Sequence, residues 1–254
     1  MKKVCHITTV HEAFDTRIFH KEARSLAKVG YDVTLIAPHE KNETVEGVKI
    51  VALPKPKNRF SRMVFLAKKA YKLALKQKAD IYHFHDPEFL QFALKLKKKT
   101  GAKIIYDVHE DVSRQILSKT WIPKIFRKTI SKIFNYYEKR KAKKLDFIIV
   151  VTPEIKKYFE KEKIKNIETI TNYPIIDYFN KKKDFSRKKN GAETILIYAG
   201  VITKIRGVKE IVKSLSFVKK NARLVLAGKF QEKKIEGELK KMPEWKMVDF
   251  KGFF

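Results

Sequence analysis

The sequence predicts an α/β fold: a parallel sheet with crossover helices, followed by a second, shorter series of the same kind. Three apolar runs carry the prediction. Val4 to Thr9 leads into His11, Asp15 and Arg17; Ile81 to His85 leads into Asp86 and Pro87; Ile104 to Val108 leads into His109, Glu110 and Asp111. Short β-branched runs that alternate with helical stretches make parallel strands joined by helices. Such sheets bind ligands outside the carboxyl ends of their strands, so these histidines and carboxylates are expected to converge on one crevice.

Taken in order, strands are expected near residues 4–9, 32–37, 48–53, 80–85, 103–108, 146–151 and 167–171. Helices fall between them, near 17–29, 61–77, 87–99, 122–144 and 153–162. Gly30 stops the first helix, and Pro87 and Pro153 stand where helices begin. This alternation defines a domain over residues 1–176. Residues 177–192 are polar and lysine-rich with little apolar periodicity, and read as a linker. A second domain opens over 193–254, with a strand at Ile195 to Ala199, a loop at Gly200 to Arg206 and a helix at Gly207 to Lys219. A strand from Arg223 to Ala227, a helix near 232–241 and a short strand at Val248 to Phe250 follow. Three parallel strands are few for a doubly wound domain, so the second one reads as incomplete.

The chain has 254 residues, of which 44% are hydrophobic, enough for a real core. No apolar run approaches the ~20 residues of a spanning helix. The amino terminus lacks the apolar region and cleavage site of a signal peptide. Cys5 is the only cysteine and lies in the first strand, which fits a core thiol and a cytoplasmic location. The formal net charge of +30 calls for anionic partners, such as nucleic acid, acidic phospholipid or phosphorylated small molecules. Most lysines belong to solvated helix faces. No nucleic-acid module is recognisable, so nucleic acid is not expected as a partner.

Five segments carry candidate chemistry. The loop after the first strand has no GxGxxG fingerprint, which argues against a nicotinamide or flavin enzyme. Asp15 or Thr16 is placed to cap the first helix, and Arg17 lies in its first turn, where the helix dipole disfavours a cation. Arg17 therefore either holds an anion or pairs with Glu12 or Asp15. His83 and His85 share a strand face, but a third metal ligand of recognisable spacing is absent, so no metal is expected. Asp86 is expected to cap the next helix, and His85 to face the crevice. His109 and Glu110 follow a strand directly; an imidazole there can bond a sugar hydroxyl or a phosphate oxygen, or move a proton. The helix near 122–144 repeats Ile122, Ile125, Phe126, Ile130, Ile133 and Tyr137 at helical spacing, with Lys124, Arg127, Lys128 and Lys132 on its other face. Its apolar stripe either packs on the core or lies on anionic lipid. Finally, Gly200, Lys204, Arg206 and Gly207 precede a helix, a setting that suits a diphosphate. The pattern is not a Walker A sequence.

In order and spacing, DTRIFHKEARSLAKVGYDVTLIA, HFHDPEF, YDVHED, VVTPEI, TNYP and IYAGVITKIRGVKEIVKSL resemble glycosyltransferase family 4. The resemblance implies a GT-B fold of two Rossmann-like domains, an acceptor-side one and a donor one, with the donor between them. It implies a retaining transfer of a hexose-type sugar from a nucleotide diphosphate sugar to a glycan or lipid-linked acceptor, with no cofactor and no required metal. His109 matches the histidine that contacts the transferred sugar, and Arg206 takes the place of the lysine that grips the donor diphosphate. Asn172 matches the asparagine that opens the interdomain segment. His11, Asp15, Arg17, His85, Asp86 and Glu110 complete the crevice. Val201 stands where the family often has an arginine, so either half of the diphosphate clamp is lacking or Lys204 substitutes. The chain ends before the family's Glu-x7-Glu carboxylates, so the activity of this polypeptide alone is in question. Two other functions remain open: a GT-B nucleotide-sugar epimerase, and a non-catalytic basic protein that binds membranes or a partner.

Overall fold

The computed structural model describes residues 1–119, 121–176, 194–218 and 222–253. The chain divides into two compact units, with the division falling between residues 176 and 194. The expected linker at 177–192 lies outside the described residues.

The first unit is built on an eight-stranded sheet. Its elements run β1 (Lys3–Ile7), α1 (Ile18–Ala23, continued by Arg24–Lys28), β2 (Asp32–Pro38), β3 (Glu43–Val45), β4 (Val48–Leu53) and α2 (Arg59–Ser61, then Arg62–Leu66 and Ala67–Gln77). After these come β5 (Ile81–Phe84), α3 (Pro87–Phe89 and Leu90–Thr100), β6 (Lys103–Val108), α4 (Val112–Ser118), α5 (Lys124–Ala142), β7 (Phe147–Val150), α6 (Pro153–Glu160) and β8 (Ile167–Thr169). The strand order is β3-β4-β2-β1-β5-β6-β7-β8, parallel throughout except for the β3–β4 pair. The order reverses between β1 and β5, and that switch point sets where a ligand crevice forms.

Period-two alternation sends strand residues to opposite faces. On one face Cys5, Ile7, Tyr82, Phe84, Ile104, Tyr106 and Val108 make a core with Leu66, Ala70 and Ala74 of α2 and Leu90, Ala93 and Leu96 of α3. On the other face Val33, Leu35, Val48 and Ile50 pack on Ile18, Phe19 and Ala23 of α1. That second face is apolar over β2 and β4. Over β1, β5 and β6 it carries buried His6, His83 and Asp107 instead.

Two elements were not legible as periodic runs. β3 is a short edge strand, turned into β4 through Glu46 and Gly47 at positive φ. α4 is a seven-residue helix capped by Asp111, whose carboxylate accepts from the Arg114 amide. A larger correction concerns α5. Its buried residues are Glu138 and Ala142, near the carboxyl end. Ile125, Phe126, Ile130 and Ile133 are exposed, so of the two settings open for this stripe, core packing does not hold for these four residues.

The second unit has β9 (Thr194–Ala199), α7 (Val208–Ser214), β10 (Ala222–Ala227), α8 (Lys233–Lys240) and β11 (Val248–Gly252), in the parallel order β11-β10-β9. Val208, Val212, Leu215, Leu224, Leu226, Ile235 and Leu239 form its core.

Candidate active site

Asp15 organises the loop after β1. Its carboxylate accepts from the Arg17 and Ile18 amides at 2.8 and 2.9 Å, capping α1, and its other oxygen lies 3.2 Å from His11 Nδ1. Burial pushes Asp15 up, yet the His11 bond and those two amides hold it well below the usual carboxylate range. The same bond raises His11. A cavity of ≈ 490 Å³ opens beside this loop, lined by Phe14, Asp15, His39 and Lys55 among others.

Asp86 does not cap α3. Its buried carboxylate turns back to β1 and accepts from the Thr8 hydroxyl at 2.8 Å and the Thr9 amide at 2.6 Å, so it closes the switch point between β1 and β5. Arg17 pairs with neither Glu12 nor Asp15, and it is buried. Its guanidinium forks onto Asp107, with Nε and Nη2 3.1 to 3.2 Å from the carboxylate. Nε also lies 2.9 Å from Glu22, and Nη1 donates to the Ile170 carbonyl. These buried acceptors compensate a cation that the helix dipole disfavours.

Around this ion pair stands a histidine ladder. His6 Nδ1 and His85 Nε2 are 3.1 Å apart, and His85 Nδ1 and His109 Nε2 are 3.3 Å apart. Asp107 Oδ2 lies 3.3 Å from His109 Nε2, 3.4 Å from His85 Nδ1 and 3.6 Å from His83 Nε2. Burial pushes His85 down to about 3 and His6 well below its usual value. Burial, then the charge of Asp107, raises Glu22. Burial also opposes the charge on Asp107, but the close approach of His109, His83 and His85 keeps its carboxyl well below the usual range. The buried centre is thus a charge pair, Arg17–Asp107, beside two imidazoles, His6 and His85, that burial pushes toward the neutral form. His85, expected at the crevice surface, is interior. His109 is the ladder's partly exposed rung: its Nε2 is engaged inward, which leaves Nδ1 as the nitrogen available to a ligand.

Glu110 is exposed and accepts from the side chain of Gln115. Asn172 accepts from Lys21 Nζ, which also donates to the Tyr173 carbonyl, tying the strand exit after β8 back to α1. The expected residues His11, Asp15, Arg17, His85, Asp86 and His109 do come together. Sequence reasoning missed Asp107, His6 and Glu22. Their signals were present: a carboxylate and an imidazole inside apolar strand runs, and a glutamate one turn beyond Arg17.

Among the described residues two sets could hold a cation, His6 with Glu22, His83 and His85, and His85 with Asp107 and His109. The third donor that spacing along β5 did not reveal is supplied from β1 and α1.

In the second unit, Gly200 has φ +143° and Gly228 has φ +153°, and a Cβ on Gly228 would lie 1.8 Å from the Gly200 carbonyl oxygen. Only glycine permits that approach. A Cβ on Gly200 would meet Arg206 Nη1 at 3.0 Å, so the guanidinium lies over this glycine. Lys204 and Arg206 are exposed, and Gly207 at φ +66° opens α7.

Residues 15–173 match Glycosyltransferase Family 4, which is more than half of the chain. The chain belongs to glycosyltransferase family 4. Sucrose-phosphate synthase from Thermosynechococcus elongatus is similar to this glycosyltransferase over all of its length, with 16% identity, a TM-score of 0.70 and 71% of the synthase covered. Anabaena HepE in complex with UDP and glucose shows 12% identity and a TM-score of 0.66, with 100% of this chain and 70% of HepE covered. The lipopolysaccharide outer core galactosyltransferase WaaB shows 15% identity and a TM-score of 0.62, with 99% and 68% covered. At such identities the likeness shows the fold, which is GT-B. No curated protein matched the chain.

Proposed function

We propose that this family 4 glycosyltransferase moves a hexose-type sugar, with retention, from a nucleotide diphosphate sugar to a glycan or lipid-linked acceptor. The observation that carries the reading is the position of His109, at the exposed end of a buried histidine ladder anchored by Arg17 and Asp107. In this reading His109 Nδ1 bonds a hydroxyl of the transferred sugar. Lys204 and Arg206 meet the diphosphate beside Gly200 and Gly207, and their charge stabilises the leaving group. No step in this transfer draws on a metal or a cofactor. The cavity beside Asp15 is the proposed acceptor entry. HepE, a neighbour in fold, was solved with UDP and glucose, which supports a nucleotide-sugar donor.

The exposed apolar stripe of α5, flanked by Lys124, Lys128 and Lys132, supports a peripheral place on an anionic membrane, where lipid-linked acceptors reside. The lone buried Cys5 fits the cytoplasmic side.

His109→Ala is expected to lower kcat about 100-fold, the scale of a lost polar catalytic contact. Normal turnover would sink the assignment. Product analysis without acceptor separates the epimerase reading, because an epimerase converts its sugar nucleotide alone.

A further inference from the structure

We propose that His6, Glu22, His83 and His85 form a structural site for a divalent metal ion of the zinc class. Their donor atoms lie within 4.8 Å of one another. His6 Nδ1 and His85 Nε2 are 3.1 Å apart, and Glu22 Oε2 lies 4.0 and 3.9 Å from them. Tetrahedral zinc, with nitrogen and oxygen ligands about 2.0–2.1 Å away, spaces its donors by about 3.3 Å. Shifts of less than about an ångström would close the set around an ion.

The second observation is independent of those distances. Glu22 Oε2 is buried with no hydrogen-bond partner among the described residues, and His83 Nε2, also buried, has only Asp107 Oδ2 at 3.6 Å, beyond hydrogen-bond reach. A buried polar atom left without a partner is costly, and a cation would satisfy both at once. The frame is also suited to a fixed site. His6 and His83 are register partners on adjacent parallel strands, and α1 brings Glu22 over them. Behind the set, Asp107 Oδ2 lies 3.4 Å from His85 Nδ1. That is the carboxylate–imidazole pairing that orients a metal-bound histidine and fixes its tautomer. Four protein ligands leave no open position, which marks a structural centre and not a catalytic one. The ion would pin α1 to β1 and β5 beneath His109. The inference does not depend on the transfer reading.

The full chain should be freed of metal by dialysis against a chelator and titrated with cobalt(II), then zinc(II), with no sugar nucleotide present. One cobalt per chain with the visible absorption of a four-coordinate ion is expected, displaced by zinc, together with a rise of several degrees in the thermal midpoint. His83→Ala and Glu22→Gln should each weaken uptake at least tenfold, while His39→Ala should keep it. If a variant fails to fold, X-ray absorption of the zinc-loaded wild-type chain decides: three imidazoles and one oxygen support the site, and any other ligand set overturns it. Absence of stoichiometric uptake by the folded metal-free chain, or equal uptake by wild type and His83→Ala, also overturns it. Metal uptake and glycosyl transfer are read separately, so failure of one leaves the other standing.

Discussion

At the scale of single residues, three acidic groups of this basic chain, Asp86, Asp107 and Glu138, lie buried. Glu138 on α5 is buried, and its two oxygens accept from Tyr106 on β6 at 2.9 Å and Tyr158 on α6 at 3.0 Å. Burial lifts its carboxyl from 4.5 to about 7, against the opposing pull of the two tyrosine bonds. The sign follows from proton binding: between those two values the native state holds a proton that the unfolded chain has released. Stability therefore falls as pH rises through this window, by on the order of 3 kcal/mol in all. Glu138→Gln keeps the shape and removes the titration; its amide oxygen accepts from one tyrosine and its NH2 donates to the hydroxyl oxygen of the other. Thermal melts from pH 4.5 to 7.5 should show a falling midpoint for wild type that flattens in the variant; parallel curves would show that Glu138 does not set this dependence. The site teaches a related lesson about reading sequence. Motif order pointed to His109, His85, Asp86, Asp15 and Arg17. It could not give the partner of Arg17, because Asp107 is 90 residues away and the pairing depends on which strands become neighbours. Buried polar residues inside apolar strands were the clue, and they carry no spacing signature.

Among the elements, strands were legible wherever β-branched runs are buried on both faces, as in β2 and β6, since a parallel sheet leaves no polar alternation to confuse the pattern. β3 and α4 were not, because each is too short for a period to show. α5 exposes a different limit. Periodicity reports an apolar stripe but not what covers it. The carboxyl half of this helix is held by Glu138 and Ala142, while Ile125 and Ile133 near its start are 76% and 64% exposed. Trp121, just before the helix, stacks under Arg59 of α2 at 4.8 Å, which joins a second exposed apolar group, Phe60, Met63 and Phe65, to the same surface. An apolar stripe rimmed by lysines is the pattern of a helix lying in the plane of an anionic membrane. Burying one large apolar side chain is worth about 1.5–3 kcal/mol. Changing Ile125→Ser together with Ile133→Ser should therefore weaken partitioning into phosphatidylcholine vesicles containing phosphatidylglycerol by at least tenfold. Co-sedimentation and the emission shift of Trp121 measure it. Equal binding by the double variant would assign the stripe to another occupant, such as a second copy of the chain, which sedimentation equilibrium would reveal.

Across the whole molecule, charge imbalance outweighs any one contact. The chain carries 58 lysines and arginines against 28 acidic residues, and Asp86, Asp107 and Glu138 are buried. The surface is therefore more one-sided than the net value of +30 suggests. Many ion pairs that do form lie at the surface, such as Lys209 with Glu238 and Lys240 with Glu236, and exposed pairs contribute about 0–1 kcal/mol each. Self-repulsion among unmatched lysines acts over the Debye length, which is about 10 Å at 0.1 M salt and about 3 Å at 1 M. Added salt screens both effects, but the unmatched charges outnumber the pairs, so relief of repulsion should win. The thermal midpoint is expected to rise by several degrees between low and 0.5 M sodium chloride, at fixed pH and without vesicles. Over the same range, binding to anionic vesicles should fall, because screening removes the attraction that the same lysines supply. A midpoint that drops with salt would mean that the surface pairs outweigh the repulsion. Vesicle binding indifferent to salt would mean that the apolar stripe of α5 acts without its lysines.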